Sequence, residues 1–129
     1  MREASAVLDA SAVLAWLRDE PGAAVVTDYL DAAVISAVNL SEVHQKLAQH
    51  GVDADRTIRQ LRSLGVGVRP FDTADALAAS RLWPATRPAG LSLGDRCCLA
   101  LAARLDAPAV TADKAWTALD VGVSVVPVR

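Results

Sequence analysis

The chain has 129 residues, 53% of them hydrophobic and 22% charged, and a formal net charge of −2. That length suits one domain with a substantial core, and the negative balance argues against a broad basic face gripping duplex nucleic acid. No stretch supplies the roughly 18 uninterrupted apolar residues of a membrane span, and the opening MREASAVLDAS does not read as a secretory signal, so a cytoplasmic protein with no membrane contact is expected.

In chain order, short β-branched runs alternate with longer Ala- and Leu-rich amphipathic ones. AVLD (Ala6–Asp9) predicts a strand, followed by a helix through Leu17 that Ser11 can cap. Glu20–Gly22 stops that helix, and Pro21 suits the first turn of a second one running towards Leu30. AVIS (Ala33–Ser36) predicts the next strand. NLSEVHQKLAQHG predicts a helix capped by Asn39 and stopped at Gly51, and DADRTIRQLRSLG another from Asp53 to Gly65. Val66–Phe71 reads as a strand, TADALAASRLW as a helix ended before Pro84, and Pro84–Gly90 as a Pro/Gly loop. SLGDRCCLALAARL predicts a helix capped by Ser92. PAVTAD is strand-like through Thr111, KAWTAL a short helix, and VSVVPV a closing strand. Strands alternating with helices imply one α/β domain, residues 1–129, with a mostly parallel sheet covered on both faces. Cys97 and Cys98 are adjacent in an apolar helical stretch. They lack the spacing of a disulfide framework or a zinc site and read as small core residues.

The carboxylates carry the chemical information. Asp9 interrupts the most apolar strand, where an unpaired ionised group is costly. Glu42 lies three residues after Asn39, Asp95 three after Ser92, and Asp113 just beyond the strand ending near Thr111. All four fall at a strand-to-helix turn or in the first turn of a helix. Such positions collect at the carboxyl edge of a parallel sheet, where these folds bind ligands. Taken singly, the last three also read as caps: Asn39-x-x-Glu42 and Ser92-x-x-Asp95 have capping-box spacing, and Asp113 suits an N-cap. Capping does not account for four acids arriving at one edge. Two unit charges about 4 Å apart repel by about 4 kcal/mol at an effective dielectric of about 20, so gathered carboxylates protonate or take up cations. Oxygen ligands without cysteine or a paired histidine select a hard ion, Mg²⁺ or Mn²⁺, and such an ion commonly works on phosphates.

Four blocks stand in order along the chain, VLDASAVLAWL, NLSEV, GLSLGDRCCLALAARL and VTADKAW. Through them the chain resembles the PIN domain, in particular the ribonuclease toxins of the VapC type. VLDASAVLAWL supplies Asp9 with Ser11 beside it, and NLSEV supplies Glu42. GLSLGDRCCLALAARL supplies Asp95, and VTADKAW supplies Asp113 with Thr111 in a neighbouring hydroxyl position. The closing VGVSVVPV resembles the family's last strand. The resemblance implies that Asp9, Glu42, Asp95 and Asp113 form a metal-binding catalytic site. It implies a Mg²⁺- or Mn²⁺-dependent endoribonuclease in which water attacks the phosphodiester, on a five-stranded mostly parallel sheet with helices on both faces. RNA as substrate, a homodimer, and neutralisation by a cognate antitoxin follow from the same resemblance.

Several other residues have two readings. Ser11 and Thr111 either orient the carboxylates and metal-bound water or cap helices and strand ends. Arg96, next to Asp95, either contacts RNA phosphate or offsets local negative charge. Arg56, Arg59 and Arg62 read as a solvated face, and Trp16, Trp83 and Trp116 as packing residues. His44 and His50 do not form a catalytic pair. Two other α/β readings compete for the AVLDAS segment. A phosphatase of the haloacid dehalogenase type needs a second Asp two residues on, where this chain has Ser11, and a receiver domain needs an acidic pair that AVLDAS lacks. A PIN scaffold that binds RNA without cutting it is separated from a nuclease by metal titration and a cleavage assay.

Overall fold

Five short parallel strands carry the fold in a computed structural model that describes residues 3–129; Met1 and Arg2 of the expected domain lie outside the described residues. The strands are β1 (Val7–Leu8), β2 (Val34–Ser36), β3 (Gly67–Arg69), β4 (Ala109–Thr111) and β5 (Val125–Pro127), in the spatial order β3-β2-β1-β4-β5. Every pairing is parallel. Helices α1 (Ala10–Leu17) and α2 (Ala23–Thr27) connect β1 to β2, and α3 (Ala37–Gln49) and α4 (Ala54–Ser63) connect β2 to β3. The third crossover holds α5 (Thr73–Arg81), α6 (Trp83–Thr86) and α7 (Leu93–Leu105). A 3-10 turn at Lys114–Ala118 leads into β5.

Strand alternation divides the core. Leu8, Ile35 and Val110 point to one face, where they pack with Val13, Val43, Leu47 and Leu61 from α1, α3 and α4. Val7, Val34 and Ala109 point to the other, against Cys98, Leu99, Leu101 and Ala102 of α7 and the fully buried Trp116. Both faces are covered, which is why these strands read as continuous apolar runs. Each fully buried aliphatic side chain contributes about 1.5–3 kcal/mol.

The chain first moves outward from β1 to β2 and β3, then returns to the other side of β1 for β4 and β5. The order therefore reverses between β1 and β4, the place where an open α/β sheet leaves a crevice beyond its carboxyl edge.

Several boundaries differ from the sequence expectation; β3 covers only Gly67–Arg69 of the expected Val66–Phe71, and α5 stops at Arg81. Helix α2 ends at Thr27 instead of Leu30, because the Tyr29 and Leu30 N–H groups bond to carbonyls three residues back and tighten the last turn. Helix α3 begins at Ala37 with Ser36 as its cap, so Asn39 is a helical residue and Glu42 lies in the second turn. Pro84 to Gly90 is not an irregular loop. Pro84 occupies an early position of α6, where a missing N–H is tolerated, and Arg87–Ala89 forms a 3-10 turn closed by Gly90.

Candidate active site

Asp9 is where the chain leaves β1, and it is the N-cap of α1 in place of the expected Ser11. Its Oδ1 accepts the Ala12 N–H at 2.7 Å. Two hydroxyls complete its surroundings. Ser11 donates to the carboxylate from 2.8 Å and 2.9 Å of its two oxygens, and Thr111 donates to Oδ2 at 2.6 Å. Each hydroxyl is itself held by a backbone donor: Ala112 N–H reaches Ser11 Oγ at 2.9 Å, and Asp113 N–H reaches Thr111 Oγ1 at 3.0 Å. The pairing of Leu8 with Val110 sets this up, since Asp9 and Thr111 are the next residues along the two strands.

The Asp9 carboxylate is only 3% exposed. Burial pushes its pKa up from 3.8 to about 6, the hydrogen bonds from Thr111, Ala12 and Ser11 pull it back, and the charge on Asp95 adds to the rise. The acid that interrupts the first strand thus has three donors around it and still protonates more readily than an ordinary Asp.

Glu42 and Asp95 come from different crossovers. Asn39 Nδ2 donates to Glu42 Oε1 at 2.7 Å and to the Gly94 carbonyl at 3.0 Å, tying α3 to the first turn of α7. Asp95 forms the capping box foreseen from sequence: its N–H donates to Ser92 Oγ at 3.2 Å and its Oδ2 accepts the Ser92 N–H at 2.9 Å. Asp113 caps the 3-10 turn, accepting the Ala115 N–H at 2.9 Å. Capping and gathering are therefore compatible. A helix end fixes one oxygen of each capping acid and so fixes where the carboxylate lies.

All four acids line one cavity of about 250 Å³, together with Ala10, Ser11, Leu14 and Lys46. It lies beside the β1–β4 reversal. Two larger grooves flank α4, and neither gathers carboxylates. One holds the exposed His44–Asp55 hydrogen bond (2.9 Å) with Leu40, Ile58 and Arg59; the other runs between Trp16, Leu17 and Leu61.

Residues 6–122 match the PIN domain. The chain belongs to the PIN domain family. No curated protein sequence matches it. Its fold is similar to that of a toxin–antitoxin complex from Klebsiella pneumoniae, with 20% identity, a TM-score of 0.77, and 97% of this chain and 98% of that chain covered. FitAcB from Neisseria gonorrhoeae is also similar (19% identity, TM-score 0.72, 95% and 97% covered), as is DNA-bound VapBC from Salmonella typhimurium (14%, 0.71, 100% and 100%). At these identities the likeness is one of fold.

The donor set of this PIN domain fits a hard divalent ion. Every ionisable acceptor on the cavity wall is a carboxylate, and no thiol or imidazole competes. Among the described residues, no three His, Cys, Asp or Glu side chains are drawn together into a metal cage. Mg²⁺ keeps several of its waters and is commonly bound by one or two carboxylates, so a wall of spaced acids suits it.

Of the supporting residues, Ser11 and Thr111 are at the site, bonded to Asp9. Arg96 is not: its guanidinium turns away to the Ala79 carbonyl at 3.0 Å, because the residue after Asp95 on α7 faces α5. Arg56, Arg59 and Arg62 are exposed along α4. Trp116 is core, whereas Trp83 is about half exposed with the Arg87 guanidinium 5.2 Å from its ring centre. Sequence reasoning missed Lys46 on the cavity wall, although its position four residues after Glu42 on one helix was the available signal. It also took Asn39 for a cap and passed over Gly94.

Proposed function

We propose that this PIN domain is a Mg²⁺- or Mn²⁺-dependent endoribonuclease and the toxin of a toxin–antitoxin pair. The observation that carries the proposal is the arrival of Asp9, Glu42, Asp95 and Asp113, from four separate segments, on the wall of one cavity. PIN domains are nucleases, and a phosphodiester is the substrate class that a carboxylate-bound hard cation serves. The four-acid wall would hold the ion through one or two of its carboxylates at a time, and the ion would supply an activated water and charge stabilisation at the leaving oxygen.

The chain's own residues do the rest. Ser11, Thr111 and the Ala12 N–H fix the orientation of Asp9, which is an ionic ligand at neutral pH because its pKa is about 6. Asp95 is fixed by its cap and Glu42 by Asn39. Lys46 places a cation on the same wall, where an RNA phosphate would otherwise meet only negative charge.

Support for the toxin role comes from the similar fold in the toxin–antitoxin complex from Klebsiella pneumoniae. A cavity of four acids also suits a basic inhibitor. An antitoxin segment could bring an Arg or Lys to Asp9 or Asp95 through charge-assisted hydrogen bonds. Homodimerisation belongs to the same proposal, and the exposed Leu77, Trp83 and Leu93 offer apolar surface for it.

The test is cleavage of defined RNAs by the purified full-length chain with Mg²⁺ or Mn²⁺, with EDTA, and with Asp95→Asn. Cleavage that needs the ion and falls at least about 100-fold in the variant is expected. Cleavage by Asp95→Asn at the wild-type rate, or undiminished in EDTA, would refute the assignment.

A further inference from the structure

Gly94 has no conformational reason to be glycine. It is the second residue of α7, it has none of the positive φ that calls for glycine, and alanine is the better helix former. What it lacks is room for a side chain. A Cβ there would stand 2.6 Å from Glu42 Oε1, 2.7 Å from Oε2 and 2.8 Å from Cδ, closer than real Cβ atoms approach. The Glu42 carboxylate lies flush on the α7 backbone, one residue before Asp95.

Asn39 closes the same joint. It is 1% exposed, and its amide nitrogen spends both hydrogens, one on Glu42 and one on the Gly94 carbonyl. Both partners are acceptors, which settles the orientation of the amide. Its Oδ1 is buried with no hydrogen-bond partner among the described residues.

We propose that Gly94 is the seat of the Glu42 carboxylate and that Asn39 locks it there, so that both are positioning residues holding Glu42 beside Asp95 for cation binding. The catalytic part of this rests on the nuclease proposal above; the joint itself does not. Because the atoms that a Cβ would meet are the far end of a flexible side chain, Gly94→Ala displaces the carboxylate without displacing backbone. Function and stability should then separate.

The experiment uses full-length Gly94→Ala, Glu42→Ala and the double variant, with three readouts. Thermal unfolding in EDTA should show Gly94→Ala folding cooperatively with a midpoint close to that of wild type, the better helix propensity of Ala offsetting the Asn39–Glu42 hydrogen bond that is broken. Calorimetric titration with MnCl₂, without RNA, should show affinity lowered about 10–100-fold, the usual effect of disturbing a residue that orients a metal ligand. In the Glu42→Ala background the same substitution should cost nothing further. The ¹⁵N NMR signals of the Asn39 side-chain amide provide a metal-free readout: slow exchange with water in wild type, and faster exchange with shifted resonances in Gly94→Ala. Wild-type Mn²⁺ affinity together with unchanged Asn39 amide signals in Gly94→Ala would overturn the proposal. So would an equal loss of affinity with and without the Glu42 carboxylate. If wild type neither binds Mn²⁺ nor cuts RNA, the nuclease proposal fails, and the amide signals alone decide whether the joint exists.

Discussion

Replacing Asp9 with Asn separates the contribution of its charge from that of its shape. A pKa raised from 3.8 to about 6 means that the folded state disfavours the charged form by about 3 kcal/mol, since each pH unit is worth about 1.4 kcal/mol. The native state binds the proton more tightly than the unfolded chain, so Asp9 makes the cation-free protein less stable as pH rises between about 4 and 6. Above that window the penalty is complete. Asn is as good an N-cap as Asp and keeps an oxygen for the Ala12 N–H. Its amide group would face Thr111 Oγ1, whose proton must then turn towards Ser11 Oγ, 3.3 Å away. That rearrangement costs about 1 kcal/mol, leaving a net gain of about 2 kcal/mol. For a chain of this length about 1 kcal/mol moves the midpoint by about 4 °C, so Asp9→Asn should melt about 8 °C higher than wild type at pH 7.5 in EDTA. At pH 4 the advantage should vanish or slightly reverse. Adding Mg²⁺ or Mn²⁺ at pH 7.5 should raise wild type more than the variant, because a ligand bound only by the native state stabilises it by mass action. Calorimetric scans at both pH values measure this directly. A difference between the two proteins that is the same at pH 4 and pH 7.5 would show that the charge of Asp9 is not what burial disfavours.

Three further outcomes follow from the same structure. Thr111→Val removes the hydroxyl that does most to lower the Asp9 pKa, so the Asp9 titration followed by carboxyl ¹³C NMR should shift upward, and the acid limb of RNA cleavage with it. Gly22→Ala should lower stability by at least about 2 kcal/mol in denaturant unfolding, because Gly22 has φ +98 and a Cβ there would collide with the Val128 carbonyl oxygen, which is backbone and cannot turn aside. Asp55→Asn should change stability by less than about 1 kcal/mol, because its hydrogen bond with His44 is open to solvent, and thermal unfolding at pH 7 checks this.

Local signals in the sequence determined a good deal. The alternation of apolar strands with amphipathic helices is a property of neighbouring residues, and it led to a parallel sheet covered on both faces. Ser92-x-x-Asp95 and Asp113 before its turn are caps that form within three residues, so their positions could be read without a fold. The resemblance carried the same four acids to one site, and they do line one cavity. Tertiary structure alone decided how each acid is held. Thr111 bonds to Asp9 across 102 positions of sequence because β4 lies beside β1 in register, and strand order is not written in any local pattern. Asn39 has a cap's composition and a cap's spacing, yet Ser36 took the cap and left Asn39 to join α3 to α7, a choice made by the packing of two distant helices. Arg96 shares a turn with Asp95 but not a direction, since successive helical residues point about 100° apart and α5 was there to receive it. The raised pKa of Asp9 belongs to the same class: hydrogen bonds and burial act on it in opposite senses, and only the assembled core determines that burial is the larger.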